Sequence, residues 1–104
     1  MNCASSNLVY LITCTFCHSQ YVGTTSQTLR NRFNHHLTSI KNKYWHDTTI
    51  PEHFNSAQHS IEHVNIIIIE TNYINEQHRL DREQFWIKTL RAQLNARTYL
   101  LSAV

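Results

Sequence analysis

Residues 7–23, NLVYLITCTFCHSQYVG, decide the fold. Residues 7–13 are mostly aliphatic, aromatic and β-branched, and residues 20–24 beyond the CTFC turn have the same character, so the two segments predict a β-hairpin. Because side chains alternate along a strand, Tyr21 and Gly23 share one face. The missing side chain at Gly23 predicts that another group approaches the backbone closely there.

The first predicted helix follows the hairpin and begins after Thr25 or Ser26, either of which can cap it. Arg32 and His36 lie one turn apart on the flank of its apolar stripe, so they can act on a common ligand. The stripe consists of residues at spacings of four, four and three, namely Leu29, Phe33, Leu37 and Ile40.

The last predicted helix runs from about residue 76 to about residue 93, with Asn75 as its N-cap. Glu83 lies four residues before Ile87, within the apolar stripe of this helix. An unpaired charge is costly in such a position, so the carboxylate requires a partner or a metal ion. Arg79, one turn earlier, is the ordinary alternative, because ion pairs at this spacing are common on helices.

Between these helices, Pro51 is suited to the first turn of a short helix that carries His53. Residues 64–70, VNIIIIE, form a continuous apolar run, which predicts a strand covered on both faces and therefore the central strand. A single Gly and a single Pro among 104 residues argue against long linkers. We therefore expect one α/β domain over residues 1–104, with its core at about 7–96 and a small, mainly antiparallel three-stranded sheet flanked by helices.

The composition narrows the class of protein. Hydrophobic residues make up 41% of the chain and charged residues 15%, which excludes an intrinsically disordered segment. A net charge of +2 favours a polyanionic partner only mildly. The N-terminal apolar stretch is too short to span a bilayer and has no basic region before it, so we expect neither a signal peptide nor a membrane partner. Three cysteines, an odd number, favour reduced thiols in an intracellular compartment.

The C-T-F-C turn predicts a metal site. Its spacing lets the thiolates of Cys14 and Cys17 reach one zinc ion from a tight turn. A redox motif of this spacing would open a helix after a strand, whereas this one joins two strands, so zinc is favoured. Eight histidines are available as further ligands. Beyond the ligands that the resemblance below implies, the competing donors are Cys3, His18, His46 and His63.

Four motifs, taken in order over residues 8–95, resemble the GIY-YIG nuclease superfamily. They are V-Y-L in the first strand, Y-V-G in the second, L-R-N-R-F-N-H-H in the first helix and E-Q-F-W-I in the last. Leu8 stands where the first motif usually has Gly, and Val22 replaces the Ile of the second. The resemblance implies that Glu83 binds Mg²⁺ or Mn²⁺ as the catalytic cofactor. The catalytic residues that it implies are Tyr10, Tyr21, Arg32, His36, Glu83 and Asn95.

Within this superfamily, the chain is most similar to the endonuclease domain of Penelope-like retroelements. The similarity rests on a cysteine pair between the two tyrosine motifs and on an H-F-x-x-x-x-H-S stretch at residues 53–60. It implies a fused reverse transcriptase upstream in the same polyprotein, nuclear localisation, and a structural Zn²⁺ bound in a loop insertion. The implied zinc ligands are Cys14, Cys17, His53 and His59.

The activity that the resemblance implies is metal-dependent strand cleavage of DNA, nicking a target site for retroelement integration. One hypothesis is that Tyr10 takes a proton from water, assisted by His36 and Tyr21, while positive charge from Arg32 and the metal lowers its pKa. The alternatives are a catalytically silent, zinc-stabilised nucleic-acid-binding module and a structure-specific DNA repair nuclease. Candidate contacts to the DNA backbone are Arg30, Lys41, Lys43, Lys88 and Arg91.

Overall fold

The chain forms a three-stranded antiparallel sheet flanked by helices, as predicted. The structure is a computed structural model, and it describes residues 5–42, 49–56 and 58–95. Its elements, in chain order, are strand β1 (Ser6–Cys14), strand β2 (Gln20–Thr28), helix α1 (Leu29–Lys41), helix α2 (Thr49–Phe54), a 3-10 turn (Ile61–His63), strand β3 (Val64–Glu70) and helix α3 (Glu76–Leu90).

The strand order is β2-β1-β3, so β1 is the central strand. Both neighbours pair antiparallel with it. The prediction that residues 64–70 form the central strand was wrong, because β3 lies at an edge and its Ile67 remains 47% exposed. A continuous apolar run fits a half-covered edge strand as well as a central one. The apolar residues of β1, by contrast, are covered on both faces.

The two faces of the sheet support two separate hydrophobic clusters. One face packs against α1 and α2, and the other packs against α3. This separation follows from the alternation of side chains along β1. The first cluster contains Leu8, Tyr10, Ile12, Leu29, Ile40 and Phe54, and the second contains Val9, Leu11, Val22, Trp86, Ile87 and Leu90.

Helix α1 begins later than predicted. Its N-cap is Thr28, whose hydroxyl accepts a hydrogen bond from the backbone N–H of Asn31 at 3.2 Å. Thr25 and Ser26 were therefore wrong as caps, because β2 continues through these polar residues and Thr28 still pairs with Ser6 of β1.

Helix α3 begins where predicted and ends early. The side chain of Asn75 caps it by accepting from the backbone N–H of His78 at 2.8 Å, which confirms the predicted cap. The helix ends at Leu90 rather than near residue 93, because Arg91 takes a left-handed conformation with φ of 50°. Such a residue commonly terminates a helix.

A polar link joins α3 to the end of β3. Arg82 donates two hydrogen bonds to the carboxylate of Glu70, at 2.7 and 2.9 Å, and the Trp86 indole donates a third at 3.1 Å. Trp86 is therefore part of the scaffold, as an aromatic residue at the edge of the core. Among the helices within the described ranges, none combines the length and the apolar character needed to cross a membrane.

Candidate active site

The site begins with a close contact between Tyr10 and Gly23. The two residues are paired across β1 and β2, and Tyr10 is fully buried. A Cβ atom added at Gly23 would lie 2.3 Å from both the Cζ atom and the hydroxyl oxygen of Tyr10. The predicted close approach at this glycine is thus confirmed, and the approaching group is the Tyr10 ring.

Substituting Gly23 with alanine should therefore destabilise the fold. The Tyr10 ring has no space to retreat, since it is enclosed by the core, and overpacking of this kind costs roughly 1–3 kcal/mol. We expect a lower free energy of unfolding in urea, while Ser26→Ala at an exposed position of the same strand should change it little. Wild-type stability in Gly23→Ala would contradict the packing described here.

A hydrogen-bonded chain links Arg32, Tyr10 and His36. The Nε–H of Arg32 donates to the Tyr10 hydroxyl oxygen at 3.1 Å, and that hydroxyl lies 2.8 Å from His36 Nε2. A guanidinium can only donate, so Tyr10 accepts from Arg32, and its own hydroxyl proton is available for His36 Nε2. Tyr10 donates to His36 when the neutral ring carries its proton on Nδ1. One turn of α1 places Arg32 and His36 on the same flank, as predicted.

Burial determines the ionisation of the hydrogen-bonded residues Tyr10 and His36. Desolvation, reinforced by the charge of Arg32, lowers the pKa of His36 to about 3, so His36 is neutral at physiological pH. Burial raises the pKa of Tyr10 well above its ordinary value, with further increases from Tyr21 and Glu83, although Arg32 lowers it. Arg32 thus lowers the pKa of Tyr10, as predicted, but burial outweighs Arg32 and the net shift is upward.

Glu83 and Tyr21 complete the same electrostatic neighbourhood. Burial raises the pKa of Tyr21, the charge of Glu83 raises it further, and Arg32 lowers it. Glu83 itself is half-buried on α3; burial raises its pKa, and Arg79 partly offsets this effect. Glu83 is therefore within electrostatic reach of both tyrosines, and α3 packs against both strands of the hairpin.

Glu83 forms no ion pair or hydrogen bond within the described part of the chain. The alternative pairing with Arg79 is not formed, because that guanidinium donates to Asn7 Oδ1 at 2.6 Å and lies 3.5 Å from the exposed Glu76. A half-buried carboxylate without a fixed cation fits a divalent metal site. A single protein carboxylate with several waters suits Mg²⁺, which gives up its hydration shell reluctantly.

Asn95 supports the site from the outer edge of β2. Its Oδ1 accepts from the backbone N–H of Val22 at 2.6 Å, and its Nδ2 donates to the carbonyl of Val22 at 2.8 Å. Val22 lies between Tyr21 and Gly23, so this amide pairs with the edge strand much as a neighbouring strand would. In this position Asn95 holds the backbone of the site, and both polar atoms of its amide are occupied.

A second cluster, the metal cluster, consists of Cys14, Cys17, His53 and His59. One potential ligand atom from each residue lies within 4.8 Å of the other three. Cys14 ends β1, Cys17 lies in the hairpin turn, and α2 presents His53 with its Nε2 3.5 Å from Cys17 Sγ. The four predicted ligands are therefore brought together.

The chemistry of these donors fits zinc. In a tetrahedral site with bonds of about 2.0–2.3 Å, neighbouring ligand atoms lie roughly 3.3–3.8 Å apart, which the cluster approaches. Contacts with Ser19 and then His59 lower the pKa of Cys17 to about 5, so this thiol favours its metal-binding thiolate form. Two sulfur and two nitrogen donors form a common structural zinc set.

The competing ligands fall outside this cluster. His63 Nδ1 accepts from the backbone N–H of Ser60 at 3.1 Å, so its remaining nitrogen carries a proton when the ring is neutral. His18 is exposed in the hairpin turn and does not join the metal cluster. Cys3 and His46 lie outside the described residues.

Sequence reasoning left Ser56 unassigned, although its hydroxyl lies 3.1 Å from His59 Nδ1. Its spacing of three residues from both His53 and His59 was the available signal.

The candidate DNA contacts remain predictions. Four of them are exposed, namely Arg30, Lys41, Lys88 and Arg91, and Lys43 lies outside the described residues.

Comparison with known proteins gives one family and one fold. The sequence profile of the GIY-YIG catalytic domain matches residues 6–97. The catalytic domain of the homing endonuclease I-TevI is 22% identical, with 84% of this chain and 86% of that chain covered and a TM-score of 0.65. A mutant of the catalytic domain of the intron endonuclease I-TevI is 21% identical, with coverages of 86% and 84% and a TM-score of 0.65. The comparison with curated proteins yields no match.

Proposed function

This chain belongs to the GIY-YIG catalytic domain family, a family of nucleases, and we propose that it is a metal-dependent endonuclease that hydrolyses phosphodiester bonds in DNA. The observation that supports this most directly is the chain of hydrogen bonds from Arg32 through Tyr10 to His36, within the electrostatic reach of Glu83. Together these side chains could activate a water molecule, bind a phosphate and hold a metal ion, which are the tasks of strand cleavage.

The hydrogen bonds of Tyr10 with Arg32 and His36 support a proton relay. Tyr10 gives its proton to Nε2 of neutral His36 as its oxygen takes a proton from the attacking water, so the phenol stays neutral throughout. This path avoids a free phenolate, which burial disfavours. Burial also makes His36 a weak base, and the negative charge of a bound phosphate would favour its protonated form during the reaction.

Arg32 is suited to binding the phosphate itself. Its Nε–H is committed to Tyr10, and its terminal amino groups make no further bond within the ranges that the structure describes. Those groups can bind the non-bridging phosphate oxygens in a fork. The same guanidinium would thus align the phosphate with the Tyr10 hydroxyl, where the attacking water is activated.

Glu83 is the residue that would hold the catalytic cation, Mg²⁺ or Mn²⁺. When bound, such an ion supplies positive charge to the departing 3′ oxygen and to the phosphate. The lack of a fixed cationic partner for Glu83 among the described residues supports this assignment.

The metal cluster is assigned a structural zinc ion. Cys14, Cys17, His53 and His59 would hold it, joining the hairpin turn to α2 and the segment that follows. The ion supplies cross-linking in a domain with a small core. Cys14 and Tyr10 lie on the same face of β1, so order at the metal cluster would support the active site through one strand.

We place the domain in a retroelement of the Penelope-like type, in which a reverse transcriptase precedes it in the polyprotein and extends the nicked 3′ end in the nucleus. The cysteine pair between the tyrosine motifs and the gathered histidines of the H-F-x-x-x-x-H-S stretch support this placement. A purified full-length protein should nick a target duplex and extend the new end with nucleotides. Nicking without any extension would count against it.

A plasmid-nicking assay tests the endonuclease activity. Supercoiled DNA should be converted to the open-circular form in Mg²⁺ or Mn²⁺ and not in metal-free buffer. Binding of DNA without any cutting in either metal would favour the catalytically silent binding module. A strong preference for branched DNA over plain duplexes would favour the repair nuclease. The metal cluster does not itself favour that alternative.

Arg32→Ala should lower the cleavage rate by about 100-fold or more, because it removes both the phosphate fork and the bond to Tyr10. Arg32→Lys should recover only part of the rate, since an ammonium group cannot reproduce the planar fork. The charge-matched control is Arg30→Ala on the exposed face of α1. As a candidate contact to the DNA backbone, Arg30 should affect DNA binding, but its loss should change the single-turnover rate at saturating DNA less than about threefold. Equal losses in the two alanine variants would point to general electrostatics instead.

A further inference from the structure

The segment between the two histidines of the metal cluster contains a serine that contacts both of them. The hydroxyl of Ser56 donates to the backbone carbonyl of His53 at 2.5 Å, and its oxygen lies 3.1 Å from Nδ1 of His59. The backbone adds two more links, from Ser56 N–H to the His53 carbonyl and from His59 N–H to the Ser56 carbonyl. Gln58, with φ of 68°, reverses the chain between them.

The directions of these bonds fix the form of the His59 ring. A carbonyl oxygen can only accept, so the single hydroxyl proton of Ser56 is used on His53. The contact with His59 must then run from Nδ1–H to the serine oxygen. This leaves the lone pair on Nε2 of His59, which is the form in which a histidine binds a metal through that atom.

We infer that Ser56 is a positioning residue of the metal cluster, holding His59 in the Nδ1–H form and fixing its distance from His53. This inference rests on the zinc ion proposed above. Ligand histidines in proteins commonly donate their second N–H to an oxygen, and loss of that oxygen weakens metal binding by about 10–100-fold.

Ser39 provides a matched control within the same chain. Its hydroxyl also donates to the carbonyl of a histidine three residues earlier, His36, at 2.8 Å. Within the described residues, however, the Ser39 hydroxyl makes no contact with an imidazole nitrogen. The bond to a preceding carbonyl is therefore an ordinary feature of a helix, and the contact with His59 distinguishes Ser56.

The test compares zinc affinity in the wild type, Ser56→Ala, Ser56→Thr and Ser39→Ala by competition with a chromogenic zinc chelator. We expect Ser56→Ala to bind zinc about 10–100-fold more weakly, with Ser56→Thr and Ser39→Ala within about threefold of the wild type. Unchanged affinity in Ser56→Ala would overturn the role of Ser56 while leaving the zinc ion in place. A wild type that binds no zinc would overturn both.

A measurement on the wild type keeps the inference testable if Ser56→Ala fails to fold. In the zinc-loaded protein, long-range ¹H–¹⁵N spectra of the imidazoles should show His59 protonated on Nδ1 and bound to zinc through Nε2. Zinc on Nδ1 of His59 would overturn the inference, because the serine oxygen would then have no proton to accept.

Discussion

Replacing Glu83 with alanine is expected to abolish DNA cleavage, with a loss of at least about 1,000-fold in the single-turnover rate. Among the described residues, no other carboxylate influences the pKa values of both Tyr10 and Tyr21. Its loss removes the expected anchor of the catalytic cation. The measurement is plasmid nicking under saturating Mg²⁺, with DNA binding followed separately by anisotropy.

The same substitution should leave the fold intact or stabilise it. Burial raises the pKa of Glu83 in the folded chain, so an ionised Glu83 opposes folding at neutral pH. The contribution of this group to stability is fully present below its ordinary pKa of 4.5 and is lost as the pH rises through its higher folded value. In metal-free buffer, Glu83→Gln should therefore have a higher Tm than the wild type near pH 7, and the difference should disappear near pH 4.

Added Mg²⁺ separates this explanation from a simple structural one. A cation that binds the folded site raises the Tm of the wild type by mass action, and it should not raise the Tm of Glu83→Gln. Asp81→Ala, at an exposed position of the same helix, is the control for both activity and stability. Full nicking by purified Glu83→Ala would remove this residue from the active site.

The hairpin and the placement of Arg32, His36 and Glu83 on their helices were accessible from the sequence because they depend on local patterns. The aliphatic, aromatic and β-branched residues before the CTFC turn predicted β1, and helical spacing placed Arg32 beside His36. The position of Glu83 within the apolar stripe of α3 marked a charge that needs a partner. Each of these signals is contained within one or two turns or strands. The elements to which they belong are the ones that the structure contains.

The sheet order and the start of α1 depended on tertiary pairing and were not accessible. The isoleucine run of β3 does not indicate whether the strand pairs with one neighbouring strand or with two. The polar residues of β2 resemble a loop, yet they remain in the sheet because Leu8 pairs with Thr25 and Ser6 with Thr28. Tertiary burial likewise outweighs the expected lowering of the Tyr10 pKa by Arg32, because no sequence pattern reports how completely a ring will be enclosed.

Zinc removal is expected to unfold the domain. A structural zinc ion contributes roughly 10 kcal/mol or more, which is comparable with the whole stability of a typical small domain, about 5–15 kcal/mol. The cluster joins the end of β1 and the hairpin turn to α2 and the residues after it. Without the ion, two thiols and two imidazoles remain close together with no bond strong enough to replace it.

The measurement is thermal unfolding, followed by circular dichroism, of protein with one bound zinc per chain and of the same protein after treatment with a zinc-selective chelator. The chelated protein should already be unfolded at 25 °C and show no cooperative thermal transition. Added zinc should restore the transition. Cys17→Ala should behave like the chelated protein. His18→Ala, at the adjacent exposed position, should keep both its zinc and its Tm.

Loss of activity should follow loss of structure. The metal cluster lies at the end of β1, whereas the proposed reacting groups surround Tyr10 four residues earlier, so a zinc ion there would support the strand without touching the phosphate. Excess Mg²⁺ should therefore fail to rescue nicking by the chelated chain, and zinc alone should fail to support nicking by the folded one. A chelated domain that keeps its cooperative transition and its nicking rate would show that packing alone holds the hairpin in place.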